Sequence, residues 1–144
     1  MRSLLDVNVL IALLDDDHTL HDRARDWFEV NHSSGWASCP LSQNAFVRIS
    51  SNPGYSTVIT YSVSDSIEQL RAFIANSDHH FWPDEISLLD GSIFASDKVL
   101  GSKQLTDLYL LALAAKNGGR LVTFDTKIPI SAIRIASRSN LSVI

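Results

Sequence analysis

The sequence predicts an α/β fold in which a mainly parallel sheet is covered on both faces by helices. Three observations carry this. Two β-prone runs, at residues 3–6 and 120–125, each end in an acid, and helix-forming stretches lie between the apolar runs. The 144 residues contain no repeat, low-complexity tract or Pro/Gly-rich linker, so one domain over residues 1–144 is expected. Parallel strands need crossover connections, which are helical and right-handed, and alternation of strand with helix therefore implies this kind of sheet.

Residues 3–6 (SLLD) read as a short buried strand closed by Asp6, and residues 7–14 (VNVLIALL) as a helix packed on the sheet. An amphipathic helix is expected over 18–30, a short strand at 36–38, a helix over 40–50 opened by Pro40, and another over 64–76. Residues 79–82 and 141–144 are further strand candidates. The clearest helix starts at Thr106, a capping residue, and runs through strong helix formers to Gly118, which can end it in the left-handed conformation. Residues 120–125 (RLVTFD) repeat the pattern of a strand followed by an acid. In open sheets of this type a site lies beyond the carboxyl ends of the strands, where Asp6 and Asp125 fall.

Composition narrows the function. An apolar fraction of 45% with 19% charged residues suits a packed globular protein. No apolar run is long enough to span a bilayer, and Asp6 interrupts the stretch where a signal peptide would need its apolar segment, so a cytosolic protein is expected. The lone Cys39 permits no internal disulfide and agrees with a reducing compartment. Twelve Lys and Arg against sixteen Asp and Glu give a net charge of −4, which disfavours nucleic-acid binding by phosphate neutralisation alone. An acidic nuclease needs bound cations to reverse the local potential.

Asp6 and Asp125 end apolar strands, and Asp107 opens a helix that is apolar nearly all round. Each acid has an ordinary alternative role: Asp107 can face the positive end of its helix, and Asp6 or Asp125 can cap a following helix. Several acids converging on one edge would instead call for divalent cations, and oxygen-only ligands favour Mg²⁺ or Mn²⁺ over zinc. The run Asp15, Asp16 and Asp17 reads as a solvated loop.

Five segments carry a resemblance over nearly the whole chain: LLDVNVLIAL at 4–13, CPLSQNAFVRI at 39–49, FWPD at 81–84, LTDLYLLALA at 105–114 and LVTFD at 121–125. In this order they resemble the successive motifs of PIN-domain ribonuclease toxins of the VapC type, from VapBC toxin-antitoxin systems. The resemblance implies an α/β/α sandwich, a Mg²⁺ or Mn²⁺ site, endonucleolytic cleavage of RNA, a homodimer and inhibition by a cognate VapB-type antitoxin. It assigns the acidic positions to Asp6, Asp107 and Asp125, with a fourth, normally glutamate, at Gln43. The chain departs from the pattern there, which implies weakened catalysis. Glu85 or Asp90 are the alternative sources of the missing charge. Asp6 and Asp107 would hold a metal that acidifies a water for in-line attack on phosphorus, and Asp125 would hold or orient a second ion or that water. Asn8, Thr123 and Lys127 are candidate substrate contacts, although helix-start or strand-end bonding serves the first two equally well.

Other residues have plainer readings. His18 and His21 lie three apart but lack a third soft ligand. Phe81 and Trp82 suit core packing better than base stacking, and Arg48, Lys98, Lys103 and Arg120 suit surface solubility. Two rivals to an active ribonuclease stand: a catalytically impaired PIN-like module that keeps antitoxin or RNA contacts, favoured by Gln43, and a phosphotransferase with a nucleophilic Asp6, disfavoured by Asn8 and by Asp125. The absence of a Gly-x-Ser-x-Gly elbow argues against a serine hydrolase.

Overall fold

In the computed structural model, which describes Met1–Ile144, five strands form one wholly parallel sheet. They are β1 (Ser3–Leu5), β2 (Trp36–Ser38), β3 (His79–Phe81), β4 (Arg120–Thr123) and β5 (Leu141–Val143), in the order β3-β2-β1-β4-β5. Five helices connect or flank them: α1 (Val7–Leu14), α2 (His21–Asn31), α3 (Pro40–Ser50), α4 (Val63–Ala75) and α5 (Leu105–Lys116).

Successive side chains of a strand point to opposite faces, and this splits the core in two. Leu4, Ala37 and Leu121 pack with Leu108, Leu111 and other residues of α5 on one face. Leu5, Trp36 and Val122 pack on the other with Val9 and Leu10 of α1, Phe46 of α3 and Leu70 of α4. The result is a helix–sheet–helix sandwich, as expected. Its strands are buried on both sides, which is why they read as apolar runs without alternation.

Local chemistry sets the element ends. Pro40 occupies the first turn of α3, where its missing N–H costs nothing, and Ser42 Oγ accepts a bond from the Cys39 amide at 3.0 Å. Ser62 and Asp65 form a reciprocal capping box that starts α4 one residue before the expected position. Gly118 ends α5 with φ at 66°. At Gly119 a Cβ would sit 2.6 Å from both the Arg2 carbonyl and the Trp82 ring, so only glycine lets β4 approach that closely.

Four expectations need correction. Thr106 is not a cap: a 3-10 turn over Ser102–Gln104 runs directly into α5, which places Thr106 inside the helix. The second helix starts later than residue 18, because His18 belongs to a turn in which its Nδ1 accepts from the Leu20 amide. Phe81, expected in the core, is 52% exposed because β3 is an edge strand, while Trp82 is buried. Asp15 is half-buried and accepts a bond from the Tyr55 hydroxyl, leaving only Asp16 and Asp17 exposed.

Candidate active site

The order of strands reverses direction between β1 and β4, so the crevice at their carboxyl ends is the topological switch point. Asp6 follows β1 directly. Its amide donates to the Val122 carbonyl at 3.0 Å, extending the β1–β4 ladder by one residue, and its side chain is only 4% exposed. Although Asp6 occupies the cap position of α1, its carboxylate makes no capping bond. It accepts instead from the Thr123 hydroxyl at 2.8 Å, across 117 residues of sequence. Capping alone therefore does not account for this acid, although the Val7 and Asn8 amides at the start of α1 also favour its charged form.

Thr123 is fully buried. Its Oγ1 donates to Asp6 and accepts from the Asp125 amide at 3.1 Å, so one hydroxyl ties the ends of β1 and β4 together. Burial keeps Thr123, expected to contact substrate, away from the surface, where its hydroxyl instead links Asp6 to the Asp125 amide. Asp125 lies two residues beyond β4, exposed, with Oδ1 accepting from the Lys127 amide at 2.8 Å. No α-helix follows it, so it caps none. Asn8 and Lys127 are both exposed beside these acids in the chain.

Asp107 stands in the first turn of α5 and completes the group. Burial, then the charges of Asp6 and Asp125, and a hydrogen bond with Asp125 push its carboxyl up to about 6. The favourable helix terminus does not outweigh these effects, so the dipole reading of Asp107 is insufficient. The Asp6 carboxyl is also raised, by burial first and against the opposing bond from Thr123, with the charge of Asp125 adding to the rise. Three acids therefore sense one another across the switch point, and Asp107 and Asp125 lie close enough to share a proton.

All three supply hard oxygen donors, which suit Mg²⁺ or Mn²⁺. As they stand, no three acid, imidazole or thiol groups meet at ligand spacing. Carboxylates gathered at one edge repel one another, and a cation between them would relieve this. The donor chemistry fits a divalent ion.

A stability test follows from the raised carboxyl of Asp107. A folded value of about 6 against an ordinary 3.8 means the folded protein holds this proton more firmly than the unfolded chain. The associated stability is complete below the ordinary value and is lost as pH rises through about 6. In chelator, Asp107→Asn should thus melt higher than the parent at pH 7.5, by roughly 4 °C for about 1 kcal/mol after allowing for solvent screening. The gain should vanish near pH 4. A melting temperature below the parent's at pH 7.5 would contradict the repulsion argument.

Gln43 lies one turn into α3, beyond the carboxyl end of β2. It lines a groove of about 250 Å³ with Val47, Ile67, Leu70, Arg71 and Ile74. Its Nε2 donates to Ser38 Oγ at 2.9 Å, and Ser38 Oγ lies 2.7 Å from His79 Nε2. These two neighbours escaped the sequence reading; a serine and a histidine in β-prone runs give no sign of a shared partner. Arg23 was missed as well: its guanidinium lies 5.9 Å from the centroid of the Phe124 ring, beside Asp125 in the chain.

Other candidates fall away. Asp90 closes its own turn onto Ser92 and senses the charge of Lys116 at the far end of α5 from Asp107, so it cannot complete the site. Burial, then Asp84, pushes up the Tyr109 phenol two residues from Asp107, and Glu85 adds the weakest contribution, so both acids lie near this edge. His21 hydrogen-bonds the Ala12 carbonyl and pairs with Asp16, and His18 is occupied within its own turn. Arg120 binds Ser3 and Asn31 at the amino end of the sheet, away from the acids. No helix is long and apolar enough to cross a membrane.

Comparison with known proteins adds the family. A sequence profile of the PIN domain matches residues 3–133. Ribonuclease VapC44 of Mycobacterium tuberculosis is 44% identical over 144 residues, spanning 100% of both chains. Ribonuclease VapC39 of the same organism is 46% identical over 132 residues, 92% of this chain and 94% of the relative. Among solved structures, VapBC2 from Rickettsia felis, bound to a DNA fragment from its promoter, superposes with a TM-score of 0.60 at 13% identity over 100% of this chain and 99% of that chain, a likeness of fold.

Proposed function

The chain belongs to the PIN-domain family, in its VapC type, and from that premise we propose that it is the toxin of a VapBC-type pair, a divalent-metal-dependent endoribonuclease. The placement of Asp6, Asp107 and Asp125 around the switch point, with the Asp107 carboxyl pushed up to about 6 by burial and then by the charges of the other two, carries this reading. The ribonuclease names of the relatives support the substrate class, and the VapBC complex among the structural neighbours supports a small VapB-type antitoxin as partner. An arginine side chain is the natural inhibitor of such a cleft, because its planar fork pairs with carboxylates.

Asp6 and Asp107 are the residues that would hold Mg²⁺ or Mn²⁺, with Asp125 orienting a second ion or a water. A bound divalent ion supplies Lewis-acid chemistry, acidifying water and offsetting charge on the phosphoryl oxygens. Thr123 spends its proton on Oδ2 of Asp6, which fixes the orientation of that carboxylate. Asp107 must give up its proton to bind a cation, so apparent metal affinity should fall as pH drops through about 6. Asn8 and Lys127, exposed beside the acids, would contact the RNA backbone. Gln43 keeps an oxygen at the fourth position without its charge, which predicts low turnover.

The deciding experiment is an endonuclease assay on structured RNA with purified protein. Cleavage should require Mg²⁺ or Mn²⁺, yield 5′-phosphate and 3′-hydroxyl ends, and stop in EDTA. Undiminished cutting by chelated protein would overturn the mechanism. Antitoxin or RNA binding with no cleavage under any metal would instead support the impaired binding module.

A further inference from the structure

We propose that Ser38 and His79 are positioning residues for Gln43, and that the direction of their hydrogen-bond chain matches an amide rather than a carboxylate at that position. Gln43 Nε2 carries hydrogens only, so Ser38 Oγ must accept from it at 2.9 Å. The serine hydroxyl has one proton to give. Its only other partner is His79 Nε2, at 2.7 Å, and Ser38 is fully buried, which leaves solvent no claim on that proton. His79 Nε2 is therefore the bare ring nitrogen and Nδ1 carries the hydrogen.

The surroundings of His79 agree with this assignment. Its ring packs on Trp36 with centroids 4.5 Å apart, which holds its orientation. Burial, then the neighbouring charges of His80 and Arg2, lower it to about 4, so the ring is neutral and able to accept. No buried side-chain nitrogen or oxygen in the protein is left without a partner, and this chain satisfies its own members.

Two consequences follow. With Nε2 spent on Ser38, the atom of Gln43 left to accept at the site is Oε1, so the side chain works there as a neutral oxygen held in one orientation. A glutamate at 43 has no hydrogen to give at neutral pH. Ser38 would then donate to it, and His79 would have to donate from Nε2 to Ser38. The whole chain reverses, and the tautomer of His79 reports which residue occupies position 43.

The structural arm of the test is independent of the ribonuclease reading, on which only the catalytic arm rests. Nitrogen-15 NMR of the imidazole rings, with the His79 signal assigned by its loss in His79→Gln, should show the Nδ1–H tautomer in the native protein and the Nε2–H tautomer in Gln43→Glu. An Nε2–H tautomer in the native protein, or the same tautomer in both, overturns the proposal. In the catalytic arm, Ser38→Ala should lower kcat for RNA cleavage by roughly 2- to 10-fold, the worth of one hydrogen bond, with KM unchanged. The same substitution in a Gln43→Ala background should add nothing. An unchanged kcat in Ser38→Ala overturns the positioning role, whereas a protein that cleaves no RNA refutes the functional reading and leaves the tautomer result to decide this one.

Discussion

Asp6→Asn and Asp107→Asn should each lower metal-dependent RNA cleavage by ~10³-fold or more, since each removes a charged oxygen ligand whose loss is worth several kcal/mol of transition-state stabilisation. Neither change should unfold the protein. An asparagine at position 6 still offers an oxygen to the Thr123 hydroxyl, which donates at 2.8 Å, and so preserves the tie between β1 and β4. At position 107 the amide relieves the burial of charge and the repulsion that together raise the native carboxyl to about 6. Lost activity combined with equal or greater thermal stability is the signature of a residue kept for function at a cost to the fold. The assay is initial cleavage rate at saturating Mn²⁺ beside a melting curve for each variant. Retention of more than about a tenth of parental activity in both variants would remove these acids from the mechanism.

Gln43→Glu should act in the opposite direction, increasing Mn²⁺-dependent cleavage by ~10-fold or more, because a few kcal/mol of regained metal-site interaction is worth about that factor per 1.4 kcal/mol. The gain is opposed by the lost Gln43 donor bond to Ser38, a cost of about 1 kcal/mol that the reversed chain to His79 partly recovers. Charge wins because a divalent ion responds far more strongly to a carboxylate than to an amide oxygen. Beside Asp84 at this edge, Glu85 offers a competing source of charge. If it serves the site, Gln43→Glu changes little and Glu85→Gln silences cleavage. Unchanged rates in both variants, with Asp6→Asn inactive, would show the fourth position to be dispensable.

The architecture was legible because each of its signals is local. Apolar strands buried on both faces announce themselves as short runs, and Pro40 marks the start of α3 at the residue where it occurs. The helix over Leu105–Lys116 was visible, but its beginning was not, because a 3-10 turn rather than a capping side chain leads into it. Exposure of Phe81 depends on β3 being an edge strand, a property of strand order that no single segment contains. The acids were found by type and position. Their arrangement was not: the bond that distinguishes Asp6 from an ordinary helix cap comes from Thr123, and the partners of Gln43 come from β2 and β3. Asp90 illustrates the converse, since a nearby acid in sequence proved to face the wrong end of α5.

The pairing of β1 with β4 also sets a clock on synthesis. Ser3 aligns with Arg120 and Leu5 with Val122, so the strand made first finds this neighbour only after residues 120–122 have been made. Asp6 obtains its Thr123 bond, and comes to face Asp107 and Asp125, only after those residues have left the ribosome. Contacts of such long sequence separation also form late in folding. A nascent chain that has not yet presented β4 therefore carries no assembled acidic centre.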